Sequence, residues 1–330
     1  MTAEIAAVIS KLSALTETYQ DASMDGETVA SGKRECESRW NMIERFVAGN
    51  GKVILDIGSS LGYFPIRIAR ENPGSIVVSF ESDAAHCEVQ RMICEKEGLF
   101  NMVICQHRLT RDDVERWSGC VECIDVALLM SVLHHYPADD VKAVFSAVSG
   151  MAAATITEIP HPEETRVCGM ETLPVVSAME YGRLIGETKS HLEDRMRPMF
   201  LHESKARREN LDAYIGVEHE GRHKFEVEKD GRWRINGGPV KPGLNVWNLL
   251  HFNIVWPPED WFSSGAVAAY DKLPYKSDVR PWNLLLTPGG LVAIDYETEF
   301  PPGSSAEFHE DDISKLKQCF SGMKPINLWK

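Results

Sequence analysis

"VILDIGSSLGYF", residues 53 to 64, decides the fold. An apolar run closes on Asp56, two glycines stand four apart at Gly58 and Gly62, and Tyr63 and Phe64 follow. A buried strand turning sharply into a helix has this outline, because glycine takes left-handed backbone angles and lets a ligand approach without meeting a Cβ. The turn lacks the close first pair of a GxGxxG dinucleotide fingerprint and the lysine of a Walker loop, so neither pyrophosphate cradle is expected.

The same texture continues outward. "SIVVSFE", "NMVICQH", "IDVALLM" and "ITEIP" read as further strands, and "YFPIRIARE", "AAHCEVQRMICEKEG", "RDDVERWSG" and "DDVKAVFSAVSG" lie between them with helical spacing. Short apolar strands alternating with crossover helices predict an α/β, doubly wound, mostly parallel sheet over residues 40–204. "HPEETRVCGMETLPVVSAMEYGRLIG" gives a helical stretch and "MRPMFLHES" an added edge strand. Residues 1–39 form an N-terminal helical segment, with Ile5, Val8, Ile9, Leu12 and Leu15 on one face and no basic start of a signal peptide. From 205 to 330 a smaller α+β accessory region is expected, with an Asp-Gly hairpin in "HKFEVEKDGRWRING" and six of the eight tryptophans.

Composition narrows the function classes. With 35 basic against 49 acidic residues the net charge is −14, which opposes a broad nucleic-acid surface. The most apolar stretch, "CIDVALLMSVL", falls short of the ~20 residues of a membrane span, and a cytoplasmic protein is expected. Cys87, Cys94, Cys105 and Cys168 fit a reducing compartment as small apolar residues. Cys120 and Cys123 form a CxxC pair without the second pair or histidines of a zinc site, so no metal is expected.

Glu81 ends the second strand, 25 residues after Asp56. A carboxylate there accepts hydrogen bonds from both hydroxyls of a ribose. An acid, a glycine turn and a second acid suit a cationic, non-phosphorylated nucleoside. On these residues, "LDIGSSLGYF", "FESD" and "IDVALLMSVLHHYP", the stretch from Trp40 to about Phe200 resembles a class I S-adenosylmethionine-dependent methyltransferase. The resemblance implies a Rossmann-like fold and S-adenosylmethionine as cofactor. It places Asp56, Gly58 and Gly62 beside the methionine moiety, Glu81 on the ribose and Ser82 beside the adenine, with Ser60, Tyr63 and Phe64 as further cofactor-side residues of the same motif. Where the family often has an acid for the adenine amine, "CQHRLT" offers Gln106 or His107.

Methyl transfer needs alignment of donor and acceptor, and a base where the acceptor loses a proton. His134 and His135 follow the fourth strand, where the sheet edge faces its ligands, and are the catalytic candidates for O-methylation of a small molecule or saccharide. Glu158 and His161 could bind substrate or, with Glu164, chelate a metal; a polar loop is the plainer reading. Arg197 reads as a reach toward an anionic acceptor or as a surface arginine.

"SDVRPWNLLLTPGGLVAIDYE", 277 to 297, raises different chemistry. It resembles the catalytic segment of the protein-kinase and aminoglycoside-phosphotransferase superfamily, with Asp278 and Asn283 as DxxxxN and Asp295 in the place of the metal-binding acid. The segment is also two strands around Pro-Gly-Gly, and the surrounding chain shows no glycine-rich loop. A phosphotransferase or bifunctional methyltransferase-kinase using magnesium-ATP is therefore the alternative, and a non-catalytic nucleoside-binding module the third reading. The arrangement resembles bacterial proteins of surface-polysaccharide synthesis in which a methyltransferase precedes a kinase domain, a resemblance that implies a glycan or sugar derivative as acceptor.

Overall fold

The structure is a computed structural model, and it describes residues 3–15, 18–118, 124–161, 163–164, 182–192, 194–204, 225–227, 233–235, 242–271, 281–293 and 314. In chain order the elements begin with α1 (Ala3–Ser13), a small hairpin of β1 (Ala22–Met24) and β2 (Glu27–Ala30), and α2 (Glu37–Val47). The alternating core follows as β3 (Val53–Ile57), α3 (Tyr63–Glu71), β4 (Ile76–Glu81), α4 (Ala84–Glu97), β5 (Met102–Gln106), α5 (Arg111–Ser118), β6 (Ile124–Met130), α6 (Ala138–Met151) and β7 (Ala152–Glu158). Beyond it come β8 (Arg183–Lys189), β9 (Met196–Glu203), β10 (Phe225–Val227), β11 (Trp233–Ile235), β12 (Leu244–Asn245), α7 (Val246–Leu249), β13 (Ile254–Trp256), α8 (Glu259–Asp271), β14 (Leu284–Thr287) and β15 (Gly290–Ala293).

Eight strands form one sheet in the order β13-β5-β4-β3-β6-β7-β9-β8. The five from β5 to β7 are parallel, while β9 runs antiparallel to both β7 and β8. The chain steps outward from β3 in one direction and then restarts at β6 on its other side. That reversal leaves a crevice at the carboxyl ends of β3 and β6, the topological switch point where open α/β sheets bind ligands.

Both faces of the sheet are covered, which explains why its strands read as continuous apolar runs. Along β3, Val53, Leu55 and Ile57 join the core on the face of α5 and α6, whereas Ile54 joins the core on the face of α2, α3 and α4. Each such fully buried side chain contributes ~1.5–3 kcal/mol. Local signals fix the helix ends. Asp83 begins α4 by accepting from the amides of Ala85 and His86 at 2.7 and 3.1 Å, and Gly98 stops it in the left-handed region at φ 65°.

Described residues between 242 and 293 pack on the same sheet. β13 pairs antiparallel with β5, Phe252 meets Phe80 and Trp117 edge-on at 4.8 and 5.6 Å, and the Trp256 indole donates to the Leu99 carbonyl at 2.9 Å. A separate unit from 205 onward remains our proposal for the chain's organisation. The hairpin read from "HKFEVEKDGRWRING" is present as β10 paired with β11, and the segment at 284–293 is the hairpin of β14 and β15. Residues 183–186, expected to be helical, belong to β8 instead. Pairing with the buried strand β9 overrides the local helical spacing there. Cys87, Cys94 and Cys105 are buried free thiols, and burial pushes Cys87 up to about 12. Cys120, Cys123 and Cys168 lie outside the described residues. Among the described residues no helix is long and apolar enough to cross a membrane.

Candidate active site

A cavity of about 460 Å³ opens at the switch point, within the size range of small-ligand sites. Its floor is the turn after β3. Gly58, Ser60 and Gly62 all take left-handed angles, at φ 75°, 53° and 82°. The turn needs those angles because it is clasped on both sides. A Cβ at Gly58 would lie 2.6 Å from Val132 in the loop after β6, and one at Gly62 would lie 2.8 Å from both Gln90 and Ile66. Gln90 in turn donates to the Ser60 carbonyl at 2.6 Å and to the Ser59 hydroxyl at 2.9 Å, fastening the turn to α4. Gly62→Ala therefore combines backbone strain with displacement of that clasp. A loss of about 2 kcal/mol in urea unfolding is the expected result.

Glu81 closes one side of the cavity. Its carboxylate accepts from the amides of Ser60 at 2.7 Å, Ser82 at 2.7 Å and Asp83 at 2.8 Å, which holds both oxygens in place at 9 % exposure. Oε2 takes only the Ser60 amide and keeps a lone pair for a ligand. Ser60 lines the cavity, and its hydroxyl is buried with no hydrogen bond among the described residues. Ser82, Asp83 and His107 also line it, whereas Gln106 does not. Of the two alternatives for the adenine contact, the geometry brings His107 to the cavity; its ring contacts Asp113 at 2.9 Å.

Not every cofactor-side residue of the motif reaches this space. Asp56 points with Ile54 to the α2 face and is 1 % exposed, without a hydrogen bond to Oδ2 among the described residues. Burial outweighs the pull of Arg39 and, helped by the charge of Glu81, pushes its carboxyl up to about 7. Gly62 shapes the turn from behind. Tyr63 and Phe64 pack in the core on the same face as Ile54, and the Tyr63 hydroxyl donates to Glu37 at 2.7 Å. These four support the site without lining it.

The β6 side supplies the remaining walls. His134 is 3 % exposed, its Nδ1 has no hydrogen bond among the described residues, and burial with the charges of His135 and Arg197 pushes its pKa down to about 3. His135 stands exposed at the mouth, its ring 4.2 Å from that of His134. Arg197 is no surface residue: at 1 % exposure it pairs with the equally buried Glu164 at 2.9 Å and lines the cavity. Glu158 is occupied too, by Arg34 at 2.5 Å, Arg39 at 2.7 Å, the Ser131 hydroxyl at 2.5 Å and the Thr188 hydroxyl. Burial raises its pKa, but the two guanidiniums and two hydroxyls prevail and hold it at about 2. The substrate or metal role weighed for Glu158 with His161 and Glu164 thus gives way to ion pairing. Among the described residues no group of three potential ligands could hold a metal ion.

Tyr19, His191, Arg108 and Tyr136 line the cavity without having been singled out in the sequence. Of the second motif, Asn283 is buried in a single 3-10 turn before β14, while Asp278 and Asp295 lie outside the described residues.

No family model matches the chain. Two Escherichia coli proteins described as O-antigen chain terminator bifunctional methyltransferase/kinase WbdD are each 27 % identical over 206 residues, 58 % of this chain and 28 % of theirs. A tRNA U34 carboxymethyltransferase of Desulfotalea psychrophila is 30 % identical over 115 residues, 34 % of each chain. The chain thus spans about a third or less of the length of these curated relatives. Among solved structures, WbdD with a kinase inhibitor matches 98 % of this chain and 92 % of its own at 18 % identity and TM-score 0.49. The N-terminal domain of EvdMO1 with S-adenosylhomocysteine and D-fucose matches 62 % and 98 % at 14 % identity and TM-score 0.44. With its switch-point cavity, glycine turn and second acid, the chain has the Rossmann-like fold of the class I S-adenosylmethionine-dependent methyltransferases.

Proposed function

We propose that the protein is an S-adenosylmethionine-dependent methyltransferase acting on a hydroxyl of a small molecule or saccharide. The observation that carries this reading is Glu81, fixed by three backbone amides at the switch point with one lone pair still directed to a ligand. The unpartnered Ser60 hydroxyl and the open turn fit the same group. Glu81 would hold the ribose, Ser82 and His107 would flank the base, and Gly58 and Ser60 would face the amino-acid portion. Bound there, S-adenosylmethionine supplies a methyl group on a sulfonium, a leaving group that needs no acid from the protein.

What the protein adds is alignment and a destination for the acceptor's proton. His134 is neutral at physiological pH, so in the tautomer protonated at Nε2 its unpartnered Nδ1 accepts from a hydroxyl. Its weak basicity does not disqualify it. A hydroxyl oxygen that has gained a methyl group is a far stronger acid than an imidazolium, and even a depressed histidine takes that proton. The names of the curated relatives, two methyltransferase/kinases and a carboxymethyltransferase, support transfer chemistry of this class.

The expected result is S-adenosylhomocysteine binding in calorimetry, weakened about 30-fold by Glu81→Ala, because one charge-assisted hydrogen bond of about 2 kcal/mol is lost. Folded protein that binds none of it would overturn the proposal. Incubating labelled donor with cell extract then identifies the acceptor. A second activity, phosphotransfer by Asp278, Asn283 and Asp295 with magnesium-ATP, is favoured by the kinase named in two relatives. Magnesium-dependent ATP binding abolished by Asp295→Ala is its test.

A further inference from the structure

One wall of the cavity is delivered from outside the sheet. The segment carrying Tyr19 is tied back on itself: Lys33 donates to the Thr18 carbonyl and Arg34 to the Tyr19 carbonyl, both at 2.9 Å, and Gly32 donates to the Asp21 carboxylate at 2.7 Å. The two stretches lie so close that a Cβ at Gly32 would sit 2.3 Å from the Gln20 carbonyl carbon. Gln20 accepts from the amide of Tyr63 at 3.3 Å, just after the glycine turn, and Arg34 reaches Glu158 at the end of β7. The strap is therefore fastened at both sides of the switch point, and Tyr19 is held at the cavity by its neighbours on either side.

The Tyr19 ring meets His191 edge-on at 5.1 Å, and its hydroxyl oxygen is buried with no hydrogen bond among the described residues. His134 Nδ1 is in the same condition, and both residues line the cavity. A phenol donates and a neutral imidazole nitrogen accepts, and a hydroxyl group both accepts and donates. Of the charged groups nearby, Arg197 pairs with Glu164, Arg34 and Arg39 share Glu158, and the Arg108 guanidinium donates to the His135 carbonyl at 2.8 Å. Tyr19 and His134 thus bring a neutral donor and a neutral acceptor, neither with a hydrogen bond among the described residues, to the same cavity.

We propose that Tyr19 and His134 form the acceptor subsite, in which one hydroxyl of an uncharged saccharide accepts from the Tyr19 hydroxyl and donates to His134 Nδ1. This rests on the methyltransferase reading and deepens it. Tyr19 is here a specificity-determining residue supplied by the strap, and it leaves the donor site to Glu81 and the glycine turn.

The test uses the full chain saturated with S-adenosylhomocysteine, with saturation confirmed by calorimetry. Saturation-transfer NMR is then recorded with methyl glycosides of glucose, galactose and mannose, and with methyl glucuronide as the charged counterpart. Transfer to a neutral glycoside is expected, weakened about tenfold in Tyr19→Phe, the weight of one hydrogen bond, while S-adenosylhomocysteine affinity stays within about twofold. Tyr19→Phe keeps the ring against His191, and unchanged donor affinity certifies its fold. No transfer to any neutral glycoside, stronger transfer to the glucuronide, or no change in Tyr19→Phe would each overturn the subsite while leaving the donor reading intact. A large fall in S-adenosylhomocysteine affinity in Tyr19→Phe would overturn it by moving Tyr19 to the donor site. Wild-type protein that fails to bind S-adenosylhomocysteine would remove both.

Discussion

Glu158→Ala is expected to lower stability by about 3–5 kcal/mol, a fall of roughly 10 °C in melting temperature for a unit of this size. Glu158 and Arg39 are fully buried and Arg34 is 1 % exposed, so the carboxylate is the counter-charge that makes two desolvated guanidiniums tolerable. Arg34 and Arg39 each already carry two buried nitrogens without a hydrogen bond among the described residues, and the substitution would add to that deficit. The effect would also reach the cavity. Ser131 holds a left-handed angle of 59° while its hydroxyl donates to Glu158, and it lines the cavity beside His134. Arg39→Met should cost less than Glu158→Ala, because Arg34 still answers the carboxylate. Combining the two substitutions should cost less than their sum, since the buried charge left behind by either is then partly removed. Thermal melts of the three variants measure this, and a loss below about 1 kcal/mol for Glu158→Ala would mean that water reaches the network.

The ordering of strands from 53 to 158 was legible because burial on both faces writes itself into the sequence as unbroken apolar runs, with helices of matching length between them. Three features were not. "NIVW" is too short to announce β13, whose place at the sheet edge depends on β5, about 150 residues earlier. Residues 183–186 carry a local helical spacing that strand pairing with β9 overrides. Arg197 could not be read as buried, because its partner Glu164 comes from the loop after β7. In the site, Gly58, Ser60, Glu81 and Ser82 were legible from one motif and one spacing, and the structure gathers them on one cavity. Asp56, Tyr63 and Phe64 sit in the same motif but face the other side of the sheet, since alternation along a strand and rotation around a helix decide direction independently of proximity in sequence. Tyr19 and His191 left no trace, because a strap and a strand-to-strand turn meet only in three dimensions.

Acidification is expected to weaken the fold from near pH 6.5 downward, well before most carboxylates titrate. His134 and His202 are held neutral by burial, with pKa values pushed down to about 3 and about 4, so below pH 6.5 the unfolded chain binds two protons that the folded chain refuses. Asp56 opposes them. Its folded pKa of about 7 lies above the unfolded value, so its contribution is present at low pH and is lost as pH rises toward 7. Between pH 6.5 and 4.5 these three groups leave two protons against one, and because burial also lowers His135 and His251, stability should fall by at least about 1.4 kcal/mol per pH unit as pH drops. Below about 4.5 Glu158 joins the histidines, because its folded pKa is about 2 and protonation in the unfolded chain comes first. The decline then steepens. Urea midpoints measured from pH 7.5 to 5 read the slope directly, and the sign of each group can be tested separately. Asp56→Asn removes the opposing proton and should make the acid loss steeper by about one proton. His202→Leu removes one refused proton and should flatten it. A slope unmoved by Asp56→Asn would place that carboxyl among the ordinary ionised acids, in contact with water that its burial denies it.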